Sequence, residues 1–108
     1  MVQRHGQVIR VRPDKLEEYK AYHANAWPSV LDMIEQCNIR NYSIYHKDGY
    51  LFAYFEYVGD DFDGDMAKMA ADPSTQKWWD IMMPIQLPLE TRAEGEWWAE
   101  MEEVFHTG

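Results

Sequence analysis

The stretch "IRNYSIYHKDGYLFAYFEYV", residues 39–58, constrains the fold more than any other part of the chain. Two runs rich in Ile, Tyr and Phe flank the turn-forming "KDG", the sequence pattern of a β-hairpin. The second run is apolar on both faces, because Leu51, Ala53, Phe55 and Tyr57 alternate with Tyr50, Phe52 and Tyr54. A strand with one face in water would alternate with polar residues instead. This strand therefore calls for a helix on one face and another sheet or subunit on the other. That is a first sign of a dimer.

The flanking segments supply the helices. "GQVIRVRP", residues 6–13, reads as a first strand ended by Pro13. From Asp14 the pattern turns helical, with Asp14, Glu17 and Glu18 early, where the helix dipole favours anions. Trp27-Pro28 interrupts it, since the residue before a proline avoids the α region and proline suits the first turn of a helix. One helix is expected to end near Asn25 and a second to run from Pro28 to about Gln36. After the hairpin, "FDGDMAKMAADP" is helical, and Asp72-Pro73 caps and starts another helix through "STQKWWDIMM". A loop with Pro84 and Pro88 follows. In "EWWAEMEEVF", residues Trp97, Met101 and Phe105 share a face at period 4 and also at period 2, so helix and strand both stay open. With a terminal strand the order is βαββαβ, the ferredoxin-like α+β arrangement built on an antiparallel sheet.

At 108 residues the chain is expected to form one domain, 1–108, around a single core. A net charge of −9 argues against nucleic acid and membrane surfaces as partners and is compatible with a small neutral ligand. The N-terminus lacks the apolar core of a signal peptide, and no stretch approaches membrane-spanning length. The single cysteine, Cys37, cannot form an internal disulfide and reads as a small buried residue, so a reducing, cytoplasmic setting is expected.

Chemistry concentrates in a few aromatic positions. His23 follows Tyr19 by four residues and Leu16 by seven, which places all three on one helix face. Such a histidine is either a satisfied core residue or the acid–base centre of a pocket. Trp78 and Trp79 point about 100° apart on a helix and cannot fill one core slot. Either one packs inside while the other is a half-exposed anchor, or both form an aromatic wall for a ligand. Tyr19, His23, Tyr42, Trp78 and Trp79 are therefore candidates to line one pocket between the helices and the sheet. A buried tyrosine or histidine needs a partner for its polar end, and water or a polyol supplies one. The four histidines lack metal-binding spacings, and no nucleophile elbow, phosphate loop or dinucleotide fingerprint occurs. "GDDFDGD" reads as a solvated turn and helix cap, because aligning its Gly64 with the glycine of a calcium loop leaves Gly59 and Ala70 where carboxylates belong.

The segments "EEYKAYHANAWPSV", "NYSIYH", "QKWWDIMMP" and "MEEVF" together resemble the L-rhamnose mutarotases, from about Val8 to Phe105. The resemblance implies a ferredoxin-like fold, a homodimer whose sheets pack together as in dimeric α/β barrels, no cofactor and no metal. It implies an isomerase that interconverts the α and β anomers of L-rhamnose in rhamnose catabolism. Carried over by motif, His23 is the catalytic acid, and Tyr19, Tyr42, Trp78 and Trp79 bind substrate. The second proton carrier is unassigned, with water or Glu103 as candidates. Residues 85–98, including Trp97-Trp98, depart from the family pattern, which leaves L-fucose and L-lyxose open as substrates. Two other readings compete: a cofactor-free dimeric ferredoxin-like monooxygenase, and a non-catalytic sugar-binding module.

Overall fold

A computed structural model describes residues 2–108. Five strands form one antiparallel sheet: β1 (Gln3–Val11), β2 (Ile39–Lys47), β3 (Tyr50–Tyr57), β4 (Gln86–Leu87) and β5 (Ala99–Met101). The spatial order is β2-β3-β1-β4, with β5 also paired to β1. Helices α1 (Leu16–Ala24) and α2 (Pro28–Gln36) connect β1 to β2, and α3 (Phe62–Ala71) and α4 (Pro73–Met82) connect β3 to β4. The fold is the ferredoxin-like βαββαβ arrangement, each crossover being a helix pair. Its last strand is split: β4 pairs with Arg10 and Val11, β5 with Gly6, Gln7 and Val8, and an irregular loop joins them.

Local chemistry accounts for most element boundaries. Asp48 and Gly49 take φ values of 53° and 82°, the two left-handed positions that a two-residue hairpin turn demands. Trp27 is extended at φ −66°, ψ 131°, and Pro28 opens α2 as expected. Asp61 caps α3 by accepting from the Gly64 amide at 3.1 Å. Asp72 caps α4 by accepting from both the amide and the hydroxyl of Thr75, at 2.9 and 2.8 Å. The first strand begins at Gln3 rather than at Gly6, since its polar start is held in register opposite Tyr57, Glu56 and Phe55.

The core lies between the helices and one sheet face, where Ile9, Val11, Leu51, Trp78 and Met82 are buried together. On β3 the covered row is Leu51, Ala53, Phe55 and Tyr57, while Tyr50 and Phe52 of the other row are exposed. The tail is a strand only over Ala99–Met101, and residues 102–108 are irregular and exposed. Among the described residues no helix is long and apolar enough to cross a membrane.

Candidate active site

Helix α1 carries Tyr19 and His23 one turn apart on its inward face, where their rings lie 4.2 Å apart between centroids. The His23 Nδ1 stands 2.8 Å from the backbone carbonyl of Tyr19. A carbonyl only accepts, so Nδ1 carries the proton, and in the neutral ring Nε2 presents a lone pair. No group hydrogen-bonds that Nε2 among the described residues, and His23 lines the cavity. Burial pushes the His23 pKa down from its usual value, partly offset by the Tyr19 carbonyl, and so favours the neutral form.

Helix α4 supplies both tryptophans, in two different roles. Trp78 is buried and meets His23, Trp27 and Tyr22 edge-on at 5.3, 5.2 and 6.0 Å between ring centroids. Trp79 is 37% exposed and reaches the cavity wall from beside it. Both sequence alternatives for the pair therefore hold in part: one ring packs inside and the other is half exposed, yet both line the same space.

Tyr42 reaches the site through a β-bulge. Arg40 pairs with Glu56 and Ser43 with Tyr54, so Asn41 and Tyr42 together oppose Phe55. Asn41 takes φ 52°, a left-handed conformation that asparagine tolerates, and donates to the Glu56 carboxylate at 2.8 Å. The extra residue reverses the alternation that Ile39 begins, so Tyr42 and Ile44 face the helices. The Tyr42 ring packs edge-on against Phe55 at 5.7 Å. It remains 43% accessible, while atoms crowd around its hydroxyl and this desolvation pushes the pKa up to about 12.

All five expected residues line a single cavity of about 520 Å³. A second cavity of about 400 Å³ adjoins it and shares Tyr19, His23, Tyr42 and Trp78. These volumes lie in the range of small-molecule sites, and aromatic walls with a few converging polar atoms are what such sites use. The sequence reading missed Gln7, Gln86 and Glu100 and left Trp97 without a role; all four also line the larger cavity. Gln86 is buried and links Tyr19 to Trp97 by hydrogen bonds of 3.3 and 2.8 Å. Glu103, the carboxylate candidate, is bound by the Arg4 guanidinium at 2.9 and 3.0 Å and lines neither cavity. The reason is parity: the irregular loop ends before Ala99, so the face of Trp97 does not carry on to residues 101 and 103. Met101 lies opposite Gly6 and Glu100 opposite Gln7, which leaves Glu100 as the carboxylate on the cavity side.

In sequence the chain is similar to several proteins of one name, while its fold is shared more widely: a tetracenomycin F2 cyclase from Streptomyces glaucescens superposes with a TM-score of 0.70 at 15% identity, covering 98% of this chain and 99% of that one. A family model described as L-rhamnose mutarotase matches residues 4–107. A protein of Oceanobacillus iheyensis named L-rhamnose mutarotase is 31% identical over 108 residues, covering 97% of this chain and 98% of that one. One of Sinorhizobium fredii with the same name is 34% identical over 99 residues, covering 91% of each. The crystal structure of an L-rhamnose mutarotase from Formosa agariphila superposes with a TM-score of 0.77 at 23% identity, covering 98% of this chain and 99% of that one.

Proposed function

The chain belongs to the L-rhamnose mutarotase family, and from that premise we propose that it interconverts the α and β anomers of L-rhamnopyranose, with His23 as the proton carrier. As an enzyme it is a carbohydrate isomerase of the racemase and epimerase type. The observation that carries the reading is the placement of His23: its Nδ1 is tied to the Tyr19 carbonyl, which turns Nε2 toward an aromatic-walled cavity with no protein partner among the described residues.

Anomer exchange requires the pyranose ring to open and reclose. The proton of the anomeric hydroxyl leaves, C1=O1 forms, and the C1–O5 bond breaks with its electron pair going to O5. O5 then takes up a proton, the aldehyde end rotates, and the reverse steps close the ring on its other face. O1 and O5 are bonded to the same carbon, so one nitrogen can serve both. His23 Nε2 takes the O1 proton and delivers it to O5. It thus begins the cycle as the base and then acts as the acid toward O5, the role that the resemblance implies. Tyr19 and Tyr42 hold hydroxyls of the sugar, and Trp78 and Trp79 face its apolar side, including the C6 methyl group. Positioned proton transfer of this kind contributes about 10²–10⁴-fold.

The active form is a homodimer, with the two open sheet faces packed on each other. Support comes from that face, where Tyr45, Tyr50, Phe52 and Met101 are 68, 41, 37 and 40% exposed. The single cysteine, Cys37, is buried and free, which suits a cytoplasmic setting.

Saturation-transfer proton NMR of L-rhamnose tests the assignment. Wild type is expected to accelerate anomer exchange, and His23→Ala to lose about 10²-fold or more of that acceleration. Full acceleration in the variant would move the proton carrier elsewhere, and the absence of any in wild type would reject the activity. The same comparison with L-fucose and L-lyxose establishes the preference among sugars.

A further inference from the structure

The segment after α4 places a buried amide in the cavity wall, and its partners fix the direction of each hydrogen bond. Gln86 is 6% exposed. The Trp97 indole Nε1–H lies 2.8 Å from one end of its amide, and the Tyr19 hydroxyl 3.3 Å from the other. An indole nitrogen only donates, so the amide oxygen must face Trp97. The amide nitrogen is thereby turned toward Tyr19 and donates to it. The Tyr19 oxygen is then the acceptor of this bond, and its own proton is free to point elsewhere. That proton has no protein acceptor among the described residues, and Tyr19 borders both cavities.

We propose that Gln86 and Trp97 are positioning residues that make Tyr19 a directed hydrogen-bond donor to the ring oxygen of the bound sugar. The proposal rests on the mutarotase reading above. When C1–O5 breaks, its electron pair settles on O5 before the proton carried by His23 arrives there. A fixed donor aimed at that developing charge stabilises it without having to reorganise. Tyr19 gives no proton away in this step. Desolvation raises its pKa well above the tyrosine value despite the opposing effect of the Gln86 hydrogen bond, so it donates while staying neutral. With its amide reversed, or without it, the same tyrosine is free to turn its proton inward and the donor is lost. Trp97 lies in the 85–98 segment, outside the motifs that carry the resemblance to the mutarotases.

The decisive variant is Gln86→Glu, of nearly the same shape but with two acceptor oxygens. A carboxylate accepts from Trp97 and from Tyr19 alike, and so draws the tyrosine proton away from the sugar. Protonated, the same group can donate to Tyr19 again. The ionisable or charged groups around this position are Tyr19 and His23 on α1, Tyr42 on β2, Glu100 on β5, and Arg10 and Arg12 on the β1 side.

Anomer exchange of L-rhamnose is followed from pH 5 to 8 for wild type, Gln86→Glu, Gln86→Leu and Trp97→Phe. At pH 8 the Glu variant is expected to lose about tenfold or more in kcat with KM changed little, and to recover relative to wild type as the pH falls. The Leu variant is expected to lose kcat by a similar factor at every pH, and Trp97→Phe by less. Nitrogen-correlated NMR of the Trp97 indole supplies a readout independent of activity, since its N–H resonance should move when Gln86 becomes Leu. A Glu variant with the wild-type rate and pH profile overturns the proposal, as does a loss confined to KM or to thermal stability. An indole resonance that stays in place in the Leu variant overturns it too. An inactive wild type rejects the mutarotase reading itself and this role with it, whereas active wild type with unaffected variants rejects the relay alone.

Discussion

The two rows of β3 are nearly alike in chemistry and opposite in fate. Leu51, Ala53, Phe55 and Tyr57 are at most 6% exposed, while Tyr50 and Phe52 are 41 and 37% exposed. As far as Tyr54 hydrophobicity does not distinguish the rows, and only Glu56 marks the open one. Connectivity does, because both crossovers lay their helices on the same side of the sheet, and burial needs a surface to pack against. The covered face holds the core and, at its edge, the few polar groups that make the cavity: His23, Tyr19 and Gln86. The open face holds aromatic rings bordered by polar pairs such as Arg4 with Glu103 and Tyr54 with Glu56. One row is satisfied within the chain, and the other is the row proposed to receive a second copy.

The largest effect should come from breaking the covered row. Leu51→Ala removes a 2% exposed side chain from the main core and is expected to cost about 2–5 kcal/mol in urea unfolding. Phe52→Ala, one residue along, is expected to cost roughly 1 kcal/mol or less when measured at high dilution. Equal costs would abolish the distinction between the rows. Next in size is the open row itself. Tyr45→Glu with Phe52→Glu is expected to leave the fold intact by circular dichroism and to weaken self-association by about 30-fold or more, read by sedimentation across a dilution series. A wild type that is already monomeric at high concentration would show that the open face does not receive a second copy.

How much of this was legible in the sequence depended on whether the determinant was local. The hairpin turn, the Trp27-Pro28 break and the Asp72 cap are each set by two or three adjacent residues, and each appears where the pattern placed it. The five candidate residues also meet in one cavity, since helix spacing fixes Tyr19 with His23 and Trp78 beside Trp79. The bulge left only a faint trace in "IRNYSIY", where the consecutive polar residues Arg40 and Asn41 shift the alternation between Ile39 and Tyr42, and only pairing with β3 reveals the extra residue. Gln86 was missed for a related reason: its meaning depends on Trp97, which returns to it through an irregular loop. Glu103 misled because a period of two was extended back through residues that are not strand. The bulge offers a test of intermediate size. Asn41→Val strains a left-handed position and is expected to cost about 1–2 kcal/mol, with Asn41→Gly milder, in the same unfolding assay.

The smallest effect is expected at His23, which the covered face leaves only partly buried. Burial lowers the His23 pKa in the folded chain below its ordinary 6.5. The unfolded chain takes up that proton near 6.5 while the folded chain resists it. Below that pH the unfolded state therefore binds more protons, and stability falls as the pH falls. Above it the ring is neutral in both states and the difference vanishes. Glu56 and Glu103, held below 4.5 chiefly by their hydrogen-bond partners Asn41 and Arg4, begin to weaken the fold only in more acidic solution. The interval from 6.5 down to about 5 thus belongs largely to histidine. His23→Phe keeps an aromatic ring against Tyr19 and Trp78 and removes this titration, while the other three histidines are common to both proteins. Urea midpoints measured at half-unit steps should fall more steeply for wild type than for the variant across that interval. Activity should persist below pH 6.5 and decline only in more acidic solution, once the folded ring takes up a proton and has no lone pair to receive the anomeric proton. Parallel midpoints would mean that the folded chain accepts a charged imidazole there as readily as water does. The covered face would then not enforce the neutral His23 on which the proposed chemistry depends.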